Sequence, residues 1–208
     1  MQSDLIYVLS AGHGEFERLV VAPGDAEEAF YLTGLAMNIS WKYQMLSIVI
    51  SDKEVSESTF SFDEKNTIFV TPQKPLIWNG KGSYLRYKET KNGISPLSFP
   101  GTKGALVKGT GYEHNEMGIA TEDEKEIELM QNKRMRKYEL MKKEVNKIKN
   151  SKKAVMAWGL TKGPAIEAAE KLGIKVIQPL ILNPFPESQI KKALLGVNQL
   201  LVVEVNTD

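Results

Sequence analysis

One stretch of the chain, residues 18–52, most restricts the fold, because it has the pattern of a strand, a tight turn, a helix and a second strand. Residues 19–22 and 46–50 are almost continuously apolar, which is typical of strands covered on both faces. After a Pro-Gly pair, Asp25 and Glu28 have the spacing of a capping box at the start of a helix. The order of these elements predicts one βαβ unit of a parallel sheet.

The helix predicted between those strands, over residues 25–44, is apolar around most of its circumference. Its apolar side chains are Ala26, Ala29, Phe30, Leu32, Leu35, Ala36, Met37, Ile39, Trp41 and Tyr43. A helix with so little polar surface is typically buried, so we expect it inside a large core or against another subunit.

Bulk composition excludes several classes of function. The formal net charge of +1 over 208 residues gives the whole chain no attraction for nucleic acid or an anionic membrane. The chain has no cysteine, which excludes disulfides, a thiolate nucleophile and any Cys-ligated zinc or iron–sulfur cluster within it. No apolar run approaches the ~20 residues that span a bilayer, and the N-terminus lacks the pattern of a signal peptide. We therefore expect a cytoplasmic protein with neither nucleic acid nor membrane as a partner.

A candidate ligand loop, Gly12-His13-Gly14-Glu15, follows a short predicted helix at residues 4–9. Two glycines let the backbone lie close to a ligand, while the imidazole and the carboxylate can exchange protons or bind polar groups. The same glycines also suit a loop that only turns the chain from helix to strand. The spacing alone leaves both interpretations open.

The middle of the chain is irregular. Residues 53–66 are polar and rich in serine, which is typical of a boundary between two packing units. Residues 67–71 predict a short strand that ends at Pro72. Residues 73–118 are rich in glycine and proline, yet their aromatic side chains argue against disorder. We expect an ordered, extended arm that is functional or wrapped over a partner.

The arm contains a second histidine cluster, formed by Glu113, His114 and Glu116. Two acids beside a histidine are compatible with a divalent-ion site, but the neighbouring glycines leave them without a fixed geometry. The chain has only two histidines, and a Ser-His-Asp triad has little support. The pattern therefore favours a structural or interface role.

A long charged helix is predicted over residues 123–149, with Thr121 as N-cap and Glu124 completing a capping box. Its apolar residues recur at steps of three and four, which predicts one buried face: Ile127, Met130, Tyr138, Met141, Val145 and Ile148. We expect its central cations to lie on a solvated surface: Lys133, Arg134, Arg136 and Lys137.

The C-terminal part predicts a second α/β unit, with strands at 154–159, 175–182 and 199–205 and helices at 161–172 and 187–195. This rhythm is typical of parallel strands joined by right-handed crossovers.

The turn at residues 159–163 of this unit joins a strand to a helix start, where backbone amides can bind an anion. It lacks the spacing and the Gly-Lys-Ser/Thr ending of a P-loop. The sequence is compatible with a plain turn and with a small-molecule site that binds an anion, and it favours the plain turn.

Several longer blocks of sequence occur in a fixed order. They are GHGEFERLVVAPGDAEEAFYLTGLAMNISWKYQMLSIVISD, RYKETKNGISPLSFPG, YEHNEMGIATED, MQNKRMRK, WGLTKGPAIEAAEKLGIKV and LNPFP. Together they resemble the alpha subunit of 2-oxoacid:ferredoxin oxidoreductases of the 2-oxoglutarate or pyruvate type. The blocks cover nearly the whole chain, and several in order discriminate far better than one motif.

The resemblance implies a division of the chain. Residues 1–60 would be the second half of a Pyr-type thiamine-diphosphate domain, and residues 61–122 an arm or linker. Residues 123–208 would be the long helix and a transketolase C-terminal-like domain. The resemblance also implies that the Gly12–Glu15 loop and Arg18 lie on the cofactor side of the half domain; a loop packed against the beta subunit is the alternative.

The same resemblance implies oxidative decarboxylation of a 2-oxoacid to an acyl-CoA with reduction of ferredoxin. Thiamine diphosphate, Mg²⁺ and an iron–sulfur cluster would be held mostly by other chains, with none expected on this chain alone. The implied partners are a beta subunit and a gamma subunit or an N-terminal alpha piece, together with ferredoxin and CoA for the complex.

The chain also departs from that family. In family members, two features precede the matched blocks. One is a Tyr-Pro-Ile-Thr-Pro-Ser segment that contacts the oxoacid, and the other is a glutamate that activates the cofactor. Neither is present in this sequence. Two hypotheses follow: a subunit piece that supports a site made with another chain, and a non-catalytic remnant or interaction module of the same fold. We expect the chain alone to be inactive and to self-associate or be unstable.

Overall fold

The computed structural model describes residues 4–14, 16–145 and 154–205, and the predicted α/β class is confirmed. The helices of those residues are α1 (Asp4–Ser10), α2 (Ala26–Tyr43), α3 (Lys53–Glu57), α4 (Glu124–Val145), α5 (Lys162–Leu172) and α6 (Glu187–Ala193). The strands are β1 (Arg18–Val21), β2 (Leu46–Val49), β3 (Val155–Ala157), β4 (Val176–Ile177), β5 (Ile181–Asn183) and β6 (Leu201–Val203). None of the helices found there is both long enough and apolar enough to cross a bilayer.

The strands form two small sheets. The first has the order β2-β1-β5, in which β1 and β2 are parallel as predicted and are joined by α2. The second has the order β4-β3-β6, and both of its pairings are parallel, as the sequence also predicts. The sheets therefore correspond to the two α/β units expected from the pattern, except for β5.

The prediction of one strand over residues 175–182 is wrong. Pro179 has no amide hydrogen and cannot continue a ladder, so the chain leaves the second sheet after β4. The Leu180 carbonyl then accepts a hydrogen bond from the Ala22 amide at 3.0 Å, and β5 pairs antiparallel with β1. The C-terminal part of the chain thereby contributes a strand to the first sheet. The proposed division at residues 60 and 122 stays a prediction.

The two strands of the first unit differ in burial. All four residues of β1 are buried between β2 and β5. None of the four residues of β2, which is an edge strand among the described residues, is fully buried, and Leu46 is 46% exposed. The expectation of strands covered on both faces therefore holds for β1 only.

Helix α2 buries one face and exposes the other. Leu32, Ile39 and Tyr43 belong to the main core with Leu19 and Met141. The opposite face exposes three large side chains, Phe30, Met37 and Trp41. Of the two expected arrangements, burial in this chain's own core does not hold for that face, and burial against another subunit stays a prediction.

The strand predicted at residues 67–71 is absent, because this segment runs along α2 instead of pairing with a strand. The Asn38 side chain of α2 donates to the Thr71 carbonyl at 2.9 Å and accepts from the Gln73 amide at 2.9 Å. These bonds use the backbone groups that a sheet partner would otherwise take. The following segment is ordered, as expected, with isolated bridges between Ile77 and Leu97 and between His114 and Ala120.

Helix α4 confirms part of its predicted pattern. Met130 and Met141 are buried on one face. The predicted residues 146–149, including Ile148, lie outside the described residues, and so does the Val145 side chain. The helix starts at Glu124, and the Asp123 carboxylate caps it by accepting from the Lys125 and Glu126 amides, so the prediction of Thr121 as N-cap is wrong.

Two α4 lysines are buried, which contradicts the expected solvated surface. Lys133 and Lys137 lie under the arm, where Gly93 packs so closely that a Cβ there would collide with the Lys133 carbonyl. Lys137 donates from Nζ to the Gln44 carbonyl at 3.1 Å, at the C-terminal end of α2, where the helix dipole favours a cation. The attraction of Glu89 for the Lys133 ammonium only partly offsets the cost of burying it. Burial lowers the pKa of both lysines to about 8.

We predict that Lys133→Met stabilises the chain by about 1 kcal/mol at pH 7, because it removes a buried charge and keeps most of the side-chain volume. In the wild type, the folded-state pKa of about 8 lies below the ordinary 10.5. The unfolded chain therefore binds more protons between these values, and stability rises with pH across that window.

Urea unfolding between pH 7 and 9.5 measures both effects, and the variant should show a shallower rise with pH. Lys125→Met, at an exposed position of the same helix, is the control and should behave as the wild type. An unchanged pH slope in Lys133→Met, or a loss of stability, would contradict the buried-charge interpretation.

Candidate functional site

The predicted ligand loop follows the C-terminal end of α1. Gly12 and Gly14 have φ angles of 110° and 78°, which are left-handed values that favour glycine. His13 is exposed between them, and a Cβ at Gly14 would meet only open space. Glu15, the fourth residue of the predicted site, lies outside the described residues. The loop therefore presents its backbone and one imidazole to solvent.

Arg18 lies beneath this loop and is buried at the start of β1. Its guanidinium donates to the carbonyls of Val8 at 2.8 Å and Ala11 at 2.6 Å, and it lies 4.4 Å above the centre of the Phe16 ring. The terminal carbonyls of a helix lack helical partners and carry partial negative charge, so they are natural acceptors for an arginine. The structure thus brings Arg18 and the loop together, but the guanidinium is engaged in fixing the loop.

Sequence reasoning missed the most connected polar site, which lies where β1 ends. Lys162, the first residue of α5, pairs through Nζ with Asp25 Oδ2 and with Glu28 Oε1, the latter at 2.7 Å. Glu28 Oε2 accepts from the Gly24 amide and from Gln178 Nε2, both at 2.8 Å. We name the side chains of Asp25, Glu28, Lys162 and Gln178 the junction cluster. It joins the start of α2 to the start of α5 and to Gln178, which follows β4.

The cluster contains the capping interaction that the sequence predicts. Asp25 Oδ1 accepts from the Glu28 amide at 2.8 Å and caps α2. The reciprocal bond of Glu28 goes to the Gly24 amide rather than to Asp25. The sequence signal that could have located the junction is therefore this acid pair together with the lysine in the turn at 159–163.

A second contact across the junction involves Asp52, which follows β2. Its Oδ1 caps α3 by accepting from the Val55 amide, and its Oδ2 accepts from the Leu160 amide, both at 2.8 Å. The turn at 159–163 does hold an anion, but this anion is a carboxylate of the chain itself. The arrangement favours the plain-turn interpretation over binding of a free anion.

The two α/β units pack closely against each other at the junction. A Cβ added at Gly24 would lie 2.9 Å from the Gly159 carbonyl oxygen and 2.7 Å from Lys162 Cδ, so any larger residue would push the turn away. Gly159 itself has a φ of 60°. Both glycines are therefore required by the packing of the junction.

The charges of the junction cluster stabilise each other. Burial raises the pKa of Asp25, but hydrogen bonds from the Glu28 amide and from Lys162 outweigh burial, and the net pKa is lowered. Burial lowers the pKa of Lys162, but its bonds to Asp25 and Glu28 prevail and raise it. Both shifts favour the ion pair.

A cavity of about 420 Å³ opens beside the cluster. Its lining residues are Asp25, Glu27, Glu28, Tyr31, Ile68, Lys162 and Leu180. It lies at the carboxyl end of β1, the edge at which open α/β sheets bind ligands. Asp25 and Glu28 are already paired with Lys162, so the cavity offers no pair of free carboxylates for acid–base chemistry.

The second histidine cluster is part of the packing between the arm and α4. The His114 ring stacks on Tyr87 with centroids 3.8 Å apart, and burial lowers its pKa. Glu113 accepts from Gln131 at 2.6 Å and pairs with Arg134 at 2.5 Å. The described residues contain no group of three acids or histidines arranged to hold a metal ion. These contacts support the structural interpretation.

Comparison with known families gives a match over most of the chain. The sequence model of the family described as "Pyruvate flavodoxin/ferredoxin oxidoreductase, thiamine diP-bdg" matches residues 1–133.

Curated relatives match along nearly the whole chain. It is 36% identical over 223 aligned residues to the 2-oxoacid:ferredoxin oxidoreductase subunit alpha of Saccharolobus solfataricus, covering 99% of this chain and 35% of the relative. It is 27% identical to the 2-oxoglutarate synthase subunit KorA of Methanothermobacter marburgensis, covering 99% of this chain and 57% of that subunit. The chain therefore spans about a third to somewhat over half of the length of these relatives.

A solved structure has the same fold over the full chain. The 2-oxoglutarate:ferredoxin oxidoreductase of Magnetococcus marinus, determined with 2-oxoglutarate, coenzyme A and succinyl-CoA bound, superposes with a TM-score of 0.84 at 28% identity. The match covers 100% of this chain and 38% of that chain.

We predict that Lys162→Met destabilises the chain by about 1–2 kcal/mol at pH 7, because it leaves two partly buried carboxylates without their cation. The loss of stability is smaller than for a fully buried ion pair, because these side chains are partly exposed to solvent. The difference in unfolding free energy between Lys162→Met and the wild type should narrow as the pH falls through the lowered pKa of Asp25, since protonation removes the charge that Lys162 stabilises. Urea unfolding measures both quantities.

Lys171→Met is the matched control on the same helix, because its ion pair with Glu167 is largely exposed. It should change stability by less than about 0.5 kcal/mol. Equal effects of the two substitutions would refute the role of the junction cluster.

Proposed function

This chain belongs to the pyruvate flavodoxin/ferredoxin oxidoreductase family of thiamine-diphosphate-binding domains, and from that premise we propose that it is a portion of the alpha subunit of a 2-oxoacid:ferredoxin oxidoreductase. In this role it supports thiamine-diphosphate-dependent oxidation of a 2-oxoacid to an acyl-CoA, with electrons passed to ferredoxin. The observation that carries the proposal is the similarity along 99% of the chain to subunits with that activity.

The charged residue buried beneath the glycine loop is not free to bind the diphosphate of thiamine diphosphate. Arg18, the cation beneath the glycine loop, already donates to carbonyls of its own chain. We therefore derive no reaction step through the cofactor and assign its diphosphate, Mg²⁺ and the iron–sulfur cluster to other chains.

The proposed partners are accordingly a beta subunit and a polypeptide that supplies the remaining alpha or gamma portion, with ferredoxin and CoA acting on the complex. A cytoplasmic location is part of the same proposal. The exposed face of α2, with Phe30, Met37 and Trp41, supports a place at a subunit interface.

A second candidate is a non-catalytic remnant or interaction module with the same fold. The observation that favours it is that Asp25 and Glu28, the acids beside the cavity at the end of β1, are paired with Lys162 instead of free for acid–base chemistry. The two candidates differ in whether another polypeptide completes the site.

We predict that the tagged chain, purified anaerobically from its native host, carries an iron–sulfur partner and reduces a viologen dye when both a 2-oxoacid and CoA are present. Omission of either substrate is the control and should abolish reduction. A colourless, inactive and unaccompanied chain would favour the non-catalytic candidate.

Within the enzyme proposal, the loop of Gly12, His13 and Gly14 lies on the cofactor side. We predict that His13→Ala raises the thiamine diphosphate concentration needed for half-maximal dye reduction several-fold, while stability is unchanged because the imidazole is exposed.

Lys103→Ala, in an exposed turn of the arm, is the control for that measurement and should leave the cofactor requirement unchanged. An unaltered requirement in His13→Ala would contradict the cofactor-side placement and favour a loop that only packs against a neighbour.

A further inference from the structure

A groove of about 900 Å³ lies between one side of α4 and a turn of the arm. The arm contributes Lys91 and Asn92, and α4 contributes one long stripe: Asn132, Met135, Arg136, Glu139, Leu140 and Lys143. The spacing of the α4 residues is that of neighbouring positions on a single helix face.

The two walls of the groove are fixed to each other. Arg136 pairs with Glu89 of the arm and donates to the Thr90 carbonyl at 3.4 Å. Gly93, with a φ of 75°, packs directly against the α4 backbone at Lys133. The turn at residues 91–92 lies between these contacts, so the groove is formed before anything binds.

The lining combines apolar surface with an excess of positive charge. Met135, which is 48% exposed, and the partly buried Leu140 supply the apolar surface. The lining has three cations, Lys91, Arg136 and Lys143, and one acid, Glu139. Arg136 is already paired with Glu89, so Lys91 and Lys143 supply the positive charge offered to a ligand. In addition, Arg136 Nε is buried and has no acceptor in the part of the chain that the structure describes. This chemistry complements a ligand with both acidic and apolar side chains.

The shape favours a polypeptide segment over a small molecule. From Asn132 to Lys143 the lining follows α4 for about 16 Å, or roughly three helical turns, and the groove is open along its side. The stretch that continues the chain after α4, residues 146–153, contains four lysines and no acid in its sequence, so it has the wrong charge to fill a basic groove.

We propose that this groove docks an acidic segment of a partner protein, with an apolar side chain of that segment seated on Met135 and Leu140 and its carboxylates facing Lys91 and Lys143. The proposal rests on the geometry and charge of α4 and the arm, and it stands independently of the proposed enzymatic role.

The test uses the full chain and a fluorescein-labelled helical peptide of about 16 residues, the length of about four helical turns. The peptide carries leucine at positions i, i+4 and i+7 and glutamate on the flanking positions. A second peptide with lysine in place of every glutamate is the charge control. Fluorescence anisotropy measures binding to the wild type, to Lys91→Glu/Lys143→Glu and to Lys103→Glu/Lys125→Glu, the last of which carries the same charge change outside the groove.

The acidic peptide should bind the wild type and Lys103→Glu/Lys125→Glu alike, and the dissociation constant should rise by about tenfold or more in Lys91→Glu/Lys143→Glu. Met135→Ser should also weaken binding, while the lysine peptide should not bind. Absence of binding, or equal loss in both double variants, would overturn the proposal. Stronger binding of a single-stranded oligonucleotide than of the acidic peptide would also overturn it and would assign the groove to a polyanion.

Discussion

The ion pair of Lys162 with Asp25 and Glu28 is the interaction on which the arrangement of the molecule depends. These acids begin α2 at the carboxyl end of β1, so a single lysine links the first βαβ unit to the first residue of α5. Asp52 adds a parallel connection from the end of β2 to the Leu160 amide. Because the carboxyl ends of parallel strands share one edge of a sheet, both contacts lie at the edge where α/β proteins place ligands.

Polar contacts also hold the irregular arm, which has little regular secondary structure of its own. Arg136 pairs with Glu89 and Arg134 pairs with Glu113, so two ion pairs hold the arm against α4. Lys137 extends this support to the C-terminal carbonyl of α2. The result is a basic, partly apolar surface along α4, which is the surface assigned here to an acidic partner.

Sequence patterns predicted the elements that have a recognisable local signature: α2 with its Asp25 cap, the apolar strands of the parallel pair β1 and β2, and the parallel sheet around β3. They failed where long-range partners decide the structure. Residues 67–71 have strand propensity, but this segment packs on α2, where the Asn38 side chain binds the Thr71 carbonyl and the Gln73 amide. Charge alone placed Lys133 and Lys137 in solvent, although their three- and four-residue spacing from Met130 and Met141 puts them on the same buried face of α4. The acids at the start of α2 and the lysine of the turn are visible in the sequence, but nothing local indicates that they pair across more than 130 residues.

Native-state hydrogen exchange of the full chain most directly tests whether the junction cluster joins the two α/β units into one cooperative body. The prediction is that the amides of β1 and β3 open with the same free energy, since β5 and the cluster tie the second unit to the first sheet. The Leu160 amide should be protected with them, because it donates to Asp52. If β3 and Leu160 exchange at a clearly lower free energy than β1, the two units open separately and the junction does not hold them together.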